Sequence, residues 1–443
     1  MTEKLAKLFW NWDHSTNWCL NTVGRQNSGV SNPYTKEPGE FVRDYGRMID
    51  FCAEHGIDAV GAVGLLRDIH GGWDAARKVC AYGRKRGVRV YLIAGLYSYG
   101  GLYHEGDSPL ALEGFLARHP ECMARTLDGK PMFLQYSYPH GTGRQAAACP
   151  SHPRVREFVL DSLDRLFREL PELGGIQMEA GDSGVCLCEN CRARRTDGGD
   201  SVGEFGRSNE LSLSDMADIY PDAAKVVRAA SPDAWIICET YVHFLNNPAF
   251  SDAASPAMRK LLGMPHDIFW QWSDRHLKPG MWTDAARLPA HLRPYRHIMR
   301  GHHGTQWDGG RHTFVADKIR EQCRLAQLSG MTAVSIFGEC SPFHANTEFN
   351  YLALSYFGDR PQAAFADFVA DEMAPRLGVD FGLAARYAKF AKLTADPAKI
   401  PAAIREIVRI AAEVSGDYDA ARRWTYLASF LNAYHYEFLR RDR

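Results

Sequence analysis

Eight short apolar runs recur along the chain, separated by stretches whose apolar residues repeat at helical spacing. The runs are Leu8 to Trp12, Ala59 to Leu65, Arg89 to Leu96, Gly175 to Glu179, Trp235 to Glu239, Ile268 to Trp272, His297 to Arg300 and Ala333 to Phe337. Several are uninterrupted, as strands buried on both faces require, and such a strand–helix alternation builds a parallel sheet. Eight units of this kind close into a TIM (β/α)8 barrel. An open doubly wound sheet would carry a glycine-rich phosphate turn after its first strand, whereas here the chain reads Asn11 to Trp18 without a glycine. Between the runs, Phe41 to His55 and Trp73 to Arg86 are expected helices, each stopped by a glycine (Gly56, Gly87) just before a strand. Val155 to Leu170, with Ser151 as its expected cap, and Phe314 to Leu328 are two more. Beyond about Arg360 the spacing is helical throughout. The expected units are therefore a barrel catalytic domain over 1–358 and a C-terminal α-helical region over 359–443, the latter a packing or homodimerisation element.

The charge balance narrows the partners. With 52 Lys+Arg against 53 Asp+Glu the net charge is -1, which speaks against nucleic acid or an anionic membrane as partner. No run approaches the roughly 20 apolar residues of a membrane span, and MTEKLAKLFWNW lacks the apolar stretch of a signal peptide. As the sequence stands a cytoplasmic protein is expected, and an exported one if a leader preceded it. Eleven cysteines without a secretory signal favour reduced thiols or a metal site over a disulfide framework. Ten Trp among 12% aromatics supply apolar faces of the kind that stack on sugar rings.

Catalytic groups of this fold project from the C-terminal ends of several strands. Strand one ends in Asp13 and His14, and the long connection after strand three carries His140 and Arg144. Strand four ends in Glu179, strand five in Glu239, and strand six in Trp270-Gln271-Trp272. Strand seven ends in Arg300-Gly301-His302, with Trp307 following, and strand eight in Glu339, followed by Asn346. Any one of these could be a solvated loop charge or a structural hydrogen-bonder. Their coincidence at nearly every strand end points to a pocket of acids, imidazoles and indoles. Glycosidic bond cleavage needs a protonated acid at the leaving oxygen and a base or nucleophile across the ring, so glycoside hydrolysis is the leading expectation. A catalytic metal ranks lower. Asp13-His14 and His302-His303 are sequence neighbours, and neighbours on a strand point to opposite faces.

Cys186-x-Cys188-x-x-Cys191 is the most specific local pattern. Three thiols within six residues can converge on a tetrahedral zinc, with Cys149 as the fourth ligand; three free thiols or a local disulfide are the alternative. Four thiolates would leave no open position for water, so this zinc would be structural and no catalytic cofactor is expected.

The stretch from Cys149-Pro150-Ser151-His152-Pro153 through Glu179 to Cys191 resembles the cysteine zinc cluster of certain barrel β-galactosidases, which implies Glu179 as an acid. Those enzymes place a nucleophile on strand seven, where this chain has Arg300. A second resemblance, to α-glucuronidase and β-hexosaminidase barrels, rests on Glu172 to Ile176 and on Glu339 with the segment Asn346 to Tyr351. A third is to the inverting exo-sialidases, in which an Asp at the end of strand one works with a His after strand three. Asp13 and His140 occupy those places. The likeness implies Asp13 as the base that activates water and His140 as acid or proton shuttle. Arg144, Arg207 and Asn346 would be sugar contacts, beside His14, Trp272, Arg300 and His302 in the same mouth. The specific expectation is an inverting exo-sialidase releasing a terminal acidic sugar from an oligosaccharide or glycoconjugate. The alternatives are a uronidase or hexosaminidase that uses Glu179 with Glu239 or Glu339, and a non-catalytic carbohydrate-binding barrel with Trp270, Trp272 and Trp307 as its platform.

Overall fold

A computed structural model describes residues 4–13, 15–19, 38–133, 146–180, 185–195, 211–241, 243–274, 287–303, 312–344 and 346–441. Eight parallel strands close into a barrel in sequence order: β1 (Ala6–Trp12), β2 (Ala59–Val63), β3 (Arg89–Gly95), β4 (Gly175–Glu179), β5 (Trp235–Glu239), β6 (Phe269–Ser273), β7 (Arg296–Arg300) and β8 (Ala333–Phe337). The ring is sealed by β1 against β8, where Trp10 lies opposite Phe337 on one side and Gly61 on the other.

Because strand side chains alternate, each strand feeds two cores. Leu8, Trp10, Trp12, Tyr91, Ile93, Ile237, Phe269, Ile298 and Phe337 meet inside the barrel. The other register faces the helices Pro38–Glu54, Gly72–Arg86, Pro153–Glu169, Leu213–Ala230, Ala316–Ser329 and Thr347–Asp359, and joins the main core. The interior is tight at Tyr91. Its ring lies across Gly61, where an added Cβ would come within 2.3 Å of it, so only glycine fits that strand position.

All four expected helices form, with ends displaced by up to three residues. Gly87 and Gly330 terminate theirs in the left-handed conformation, as glycine after a last turn commonly does. Ser151 does not cap its helix. Pro153 occupies the first turn after His152, where its missing N–H costs nothing, and the Ser151 hydroxyl lies 3.0 Å from Cys191 Sγ instead.

Of the C-terminal helices, Phe381–Ala391 and Tyr418–Arg441 reach the helix Thr347–Asp359 that follows β8, and Ile400–Glu413 packs on Tyr418–Arg441. Phe349 meets Tyr387 ring to ring at 5.3 Å, Tyr387 meets the buried Trp424 at 5.0 Å, and Arg423 pairs with Glu348 at 2.7 Å. Their apolar residues belong to the same core as the barrel's helix layer. Among the described residues, no helix is long and apolar enough to cross a membrane.

Candidate active site

Glu179 and Glu239 end neighbouring strands and point inward, so the closed sheet brings two carboxylates to one side of the barrel mouth. Arg300, at the end of β7, reaches across to both. Its Nη1 donates directly to Glu239 Oε1 and lies 3.8 Å from Glu179 Oε1. The guanidinium stacks over Trp10 at 4.6 Å, and Nη2 is 3.4 Å from His302 Nε2. Aromatic faces suit this cation, since their electron density offsets part of the hydration it has lost.

The two acids differ in surroundings. Glu239 is 1% exposed and accepts from Arg300, from Gln271 Nε2 at 3.3 Å and from the Ala180 N–H at 3.0 Å. Three donors match an ionised carboxylate, which can only accept. Glu179, 9% exposed, accepts from Gln177 Nε2 at 3.3 Å and is the more open of the pair. Gln177 was not among the sequence expectations, and Gln271 stood there only as a strand-end residue between the two tryptophans. Gln177 lies two residues before the strand-end Glu179 and therefore on the same inward face, a signal that period-two alternation carries. Gln271 shares the inward face with Phe269 and Ser273 in the same way.

Other expected residues are placed elsewhere. Asp13 is fully enclosed, on the outward register beyond Trp12. Its carboxylate sits 2.6 Å from His70 Nε2 and 3.1 Å from Arg67 Nε, both buried. Gly64, at φ +75, makes room for it. Asp13 therefore does not open on the mouth in this arrangement. Trp270 and Trp272 are also corrected: both point away from the barrel axis into the helix layer, and Trp272 donates to His297 Nδ1 at 3.0 Å. They are core residues because, on β6, Phe269, Gln271 and Ser273 take the inward face. Glu339 accepts from the Trp12 N–H at 3.0 Å and so prolongs the β1–β8 ladder. Asn346 is buried, and its amide donates to the His312 carbonyl at 2.8 Å, so it supports that loop. His302 lies beside Arg300 as expected. His14, His140, Arg144, Arg207 and Trp307 lie outside the described residues.

The four cysteines converge. The sulfurs of Cys149, Cys186, Cys188 and Cys191 lie within 4.8 Å of one another, with Cys149 3.8 Å from Cys188 and 3.6 Å from Cys191. Zinc–sulfur bonds of about 2.3 Å give a tetrahedron with edges of roughly 3.8 Å, so the spacing fits a metal. The Arg125 N–H points at Cys186 Sγ at 3.2 Å, and the Ser151 hydroxyl is 3.0 Å from Cys191. Hydrogen bonds from Cys149 and then Cys186 hold the Cys191 thiol below its ordinary range. The cluster has its own small apolar shell of Ala124, Met132, Ala147 and Leu187. It ties the connection after β3 to the connection after β4. From there Arg194 and Arg195 grip Asp215 at the capping box of the helix Leu213–Ala230.

The fold and site together define a class: a closed (β/α)8 barrel with an arginine-bridged carboxylate pair at its C-terminal mouth and a cysteine tetrad beside it. The chain matches no protein family and no curated protein by sequence. By structure it is similar to a GH138 enzyme targeting pectin rhamnogalacturonan II, at 10% identity and a TM-score of 0.50, covering 90% of this chain but only 44% of that one. It is also similar to a maltogenic α-amylase from Thermotoga neapolitana (12% identity, TM-score 0.46, 82% of this chain and 78% of that one). A β-mannanase from the blue mussel Mytilus edulis aligns at 10% identity and a TM-score of 0.43 over 81% and 93% of the two chains. At these identities the first likeness shows the barrel fold, in agreement with the strand order.

Proposed function

We propose that the protein is a glycoside hydrolase in which Glu179 is the general acid and base and Glu239 the nucleophile. The observation that carries this reading is Arg300, whose single nitrogen touches one carboxylate and lies 3.8 Å from the other. Sharing that nitrogen keeps the two carboxyl oxygens within about 6 Å of each other, short of the about 6.5–9.5 Å of inverting enzymes. Glu179 would give its proton to the leaving oxygen while a Glu239 oxygen bonds to the anomeric carbon and the glycosidic C–O bond breaks. Water then adds at the same carbon, its proton passing to Glu179, and the ester to Glu239 is released.

The reading with Asp13 as base and His140 as acid is weaker on this geometry, because Asp13 is enclosed and committed to Arg67 and His70. The test is release of chromophore from a panel of aryl glycosides by wild type, Glu179→Gln, Glu239→Gln and Asp13→Asn. Turnover that collapses in both glutamate variants supports the pair. Turnover lost only in Asp13→Asn moves the chemistry to strand one, and silence on the whole panel with measurable sugar binding favours a non-catalytic barrel.

Beside the site we propose a structural zinc held by Cys149, Cys186, Cys188 and Cys191. Its part would be to fix the two connections flanking Glu179, since four thiolates leave it no position for substrate or water.

A further inference from the structure

We infer that the sugar ring taken between Glu179 and Glu239 is a neutral one, and that Arg300 is a positioning residue for the two carboxylates rather than a receptor for a carboxylate on the substrate. The inference rests on the two-carboxylate reading above and goes on to name its substrate class.

The charges come first. Among the described inward-facing residues of the upper barrel, two carboxyl groups face one cation; with Glu179 holding the proton of the general acid, Glu239 and Arg300 balance each other and the described centre has no positive charge to spare. A sugar carboxylate entering it meets Glu179 and Glu239 at close range in a poorly solvated place. Repulsion of that kind at about 4 Å amounts to roughly a thousandfold in binding, and the one guanidinium offsets it only in part.

Arg300 is already engaged by geometry as well as by charge. Recognition of a carboxylate by arginine uses two parallel N–H bonds from its fork. Here Nη1 is taken by Glu239, Nη2 is turned toward His302, and Trp10 covers a face. Admitting a substrate carboxylate would mean expelling Glu239, whose three donors hold it in place.

The neighbouring groups point the same way. Gln177 and Gln271 each spend an amide N–H on a catalytic carboxylate, and the inward Tyr91 and Ser335 add only neutral hydroxyls. Trp12, Tyr99 and Phe337 supply apolar faces. Neutral hydrogen-bonders and ring faces suit hydroxyls and C–H groups, and the Glu239 carboxylate suits the positive charge that develops on the ring in the transition state.

The test uses the full chain and two measurements. Aryl glycosides of neutral sugars (galactose, glucose, mannose, rhamnose, N-acetylglucosamine) are compared with aryl glucuronide and aryl sialoside. In parallel, a cationic piperidine iminosugar and glucuronic acid are titrated by calorimetry. Turnover confined to neutral glycosides is expected, with the iminosugar bound about a hundredfold more tightly than glucuronate. Glu239→Gln removes one negative charge and should narrow that gap at least tenfold. Uronide or sialoside turnover that depends on Glu179 and Glu239, or glucuronate binding equal to that of the iminosugar, overturns the neutral-sugar inference while leaving the two-carboxylate reading intact. Neutral turnover that survives both Glu179→Gln and Glu239→Gln overturns the reading and the inference together.

Discussion

The Arg300–Glu239 pair makes a quantitative claim about stability that is independent of any substrate. Arg300 is 6% exposed and Glu239 1%, so both charges are out of water, and each compensates the other. Removing one partner of such a pair typically costs about 3–5 kcal/mol, because the survivor is left buried and unpaired. Glu239→Gln keeps the side chain's shape but removes the carboxylate that Arg300 touches, leaving Glu179 at 3.8 Å as the next carboxyl group among the described residues. A loss near the lower end, about 3 kcal/mol, is expected. Arg300→Met keeps apolar volume against Trp10 but takes this cation away from both carboxyl groups, and the loss should be about 4 kcal/mol. The double variant removes both charges and should lose far less than the sum, giving a coupling of at least about 2 kcal/mol. Urea unfolding at neutral pH, followed by tryptophan fluorescence and circular dichroism and accepted only where the two transitions coincide, measures all four corners of the cycle. Losses that add to within about 0.5 kcal/mol would refute the claim that these charges depend on each other.

Further outcomes concern the metal, the histidines and the packing around Asp13. Protein purified without chelator should carry about one zinc per chain by elemental analysis, and Cys188→Ser should lower both zinc content and Tm; metal-free protein with an unchanged Tm in the variant would remove the zinc. Because the thiols must deprotonate to ligate, zinc should be held more weakly as pH falls, which a chelator competition at two pH values reads directly. Burial pulls His243 down to about 3 and His297 and His344 down to about 4, below the about 6.5 of an unfolded histidine. The unfolded chain therefore binds more protons, so this contribution is fully present above about pH 6.5 and is lost as pH falls toward 4, by roughly 2 kcal/mol per histidine at pH 5. Urea midpoints that do not fall between pH 7 and 5 would contradict that. Gly64→Ala places a Cβ 2.5 Å from the Asp13 carboxyl at a positive φ and should destabilise by about 2 kcal/mol or more, whereas an unchanged midpoint would mean that Asp13 is not wedged there.

The sequence by itself determined the barrel, because eight apolar runs alternating with helical stretches admit few other closed arrangements, and the glycines Gly87 and Gly330 mark helix ends through their own conformational freedom. It also named Glu179, Glu239, Arg300 and His302 as strand-end residues, and grouped Cys186, Cys188 and Cys191 by their spacing within one loop, a local property, with Cys149 joined to them from another connection. What it could not give is which face a strand-end side chain takes and what stands across from it. Trp272 and Gln271 are neighbours, and only the register of β6 in the closed sheet sends one into the helix layer and the other to Glu239. Asp13 reads as a strand-end acid, yet one step of alternation past Trp12 turns it away from the axis toward Arg67 and His70. The bridging of Glu179 and Glu239 by an arginine three and two strands further along the chain is a product of barrel closure. Facing and pairing across the barrel are set by long-range contacts, and these exist only once the tertiary structure has formed.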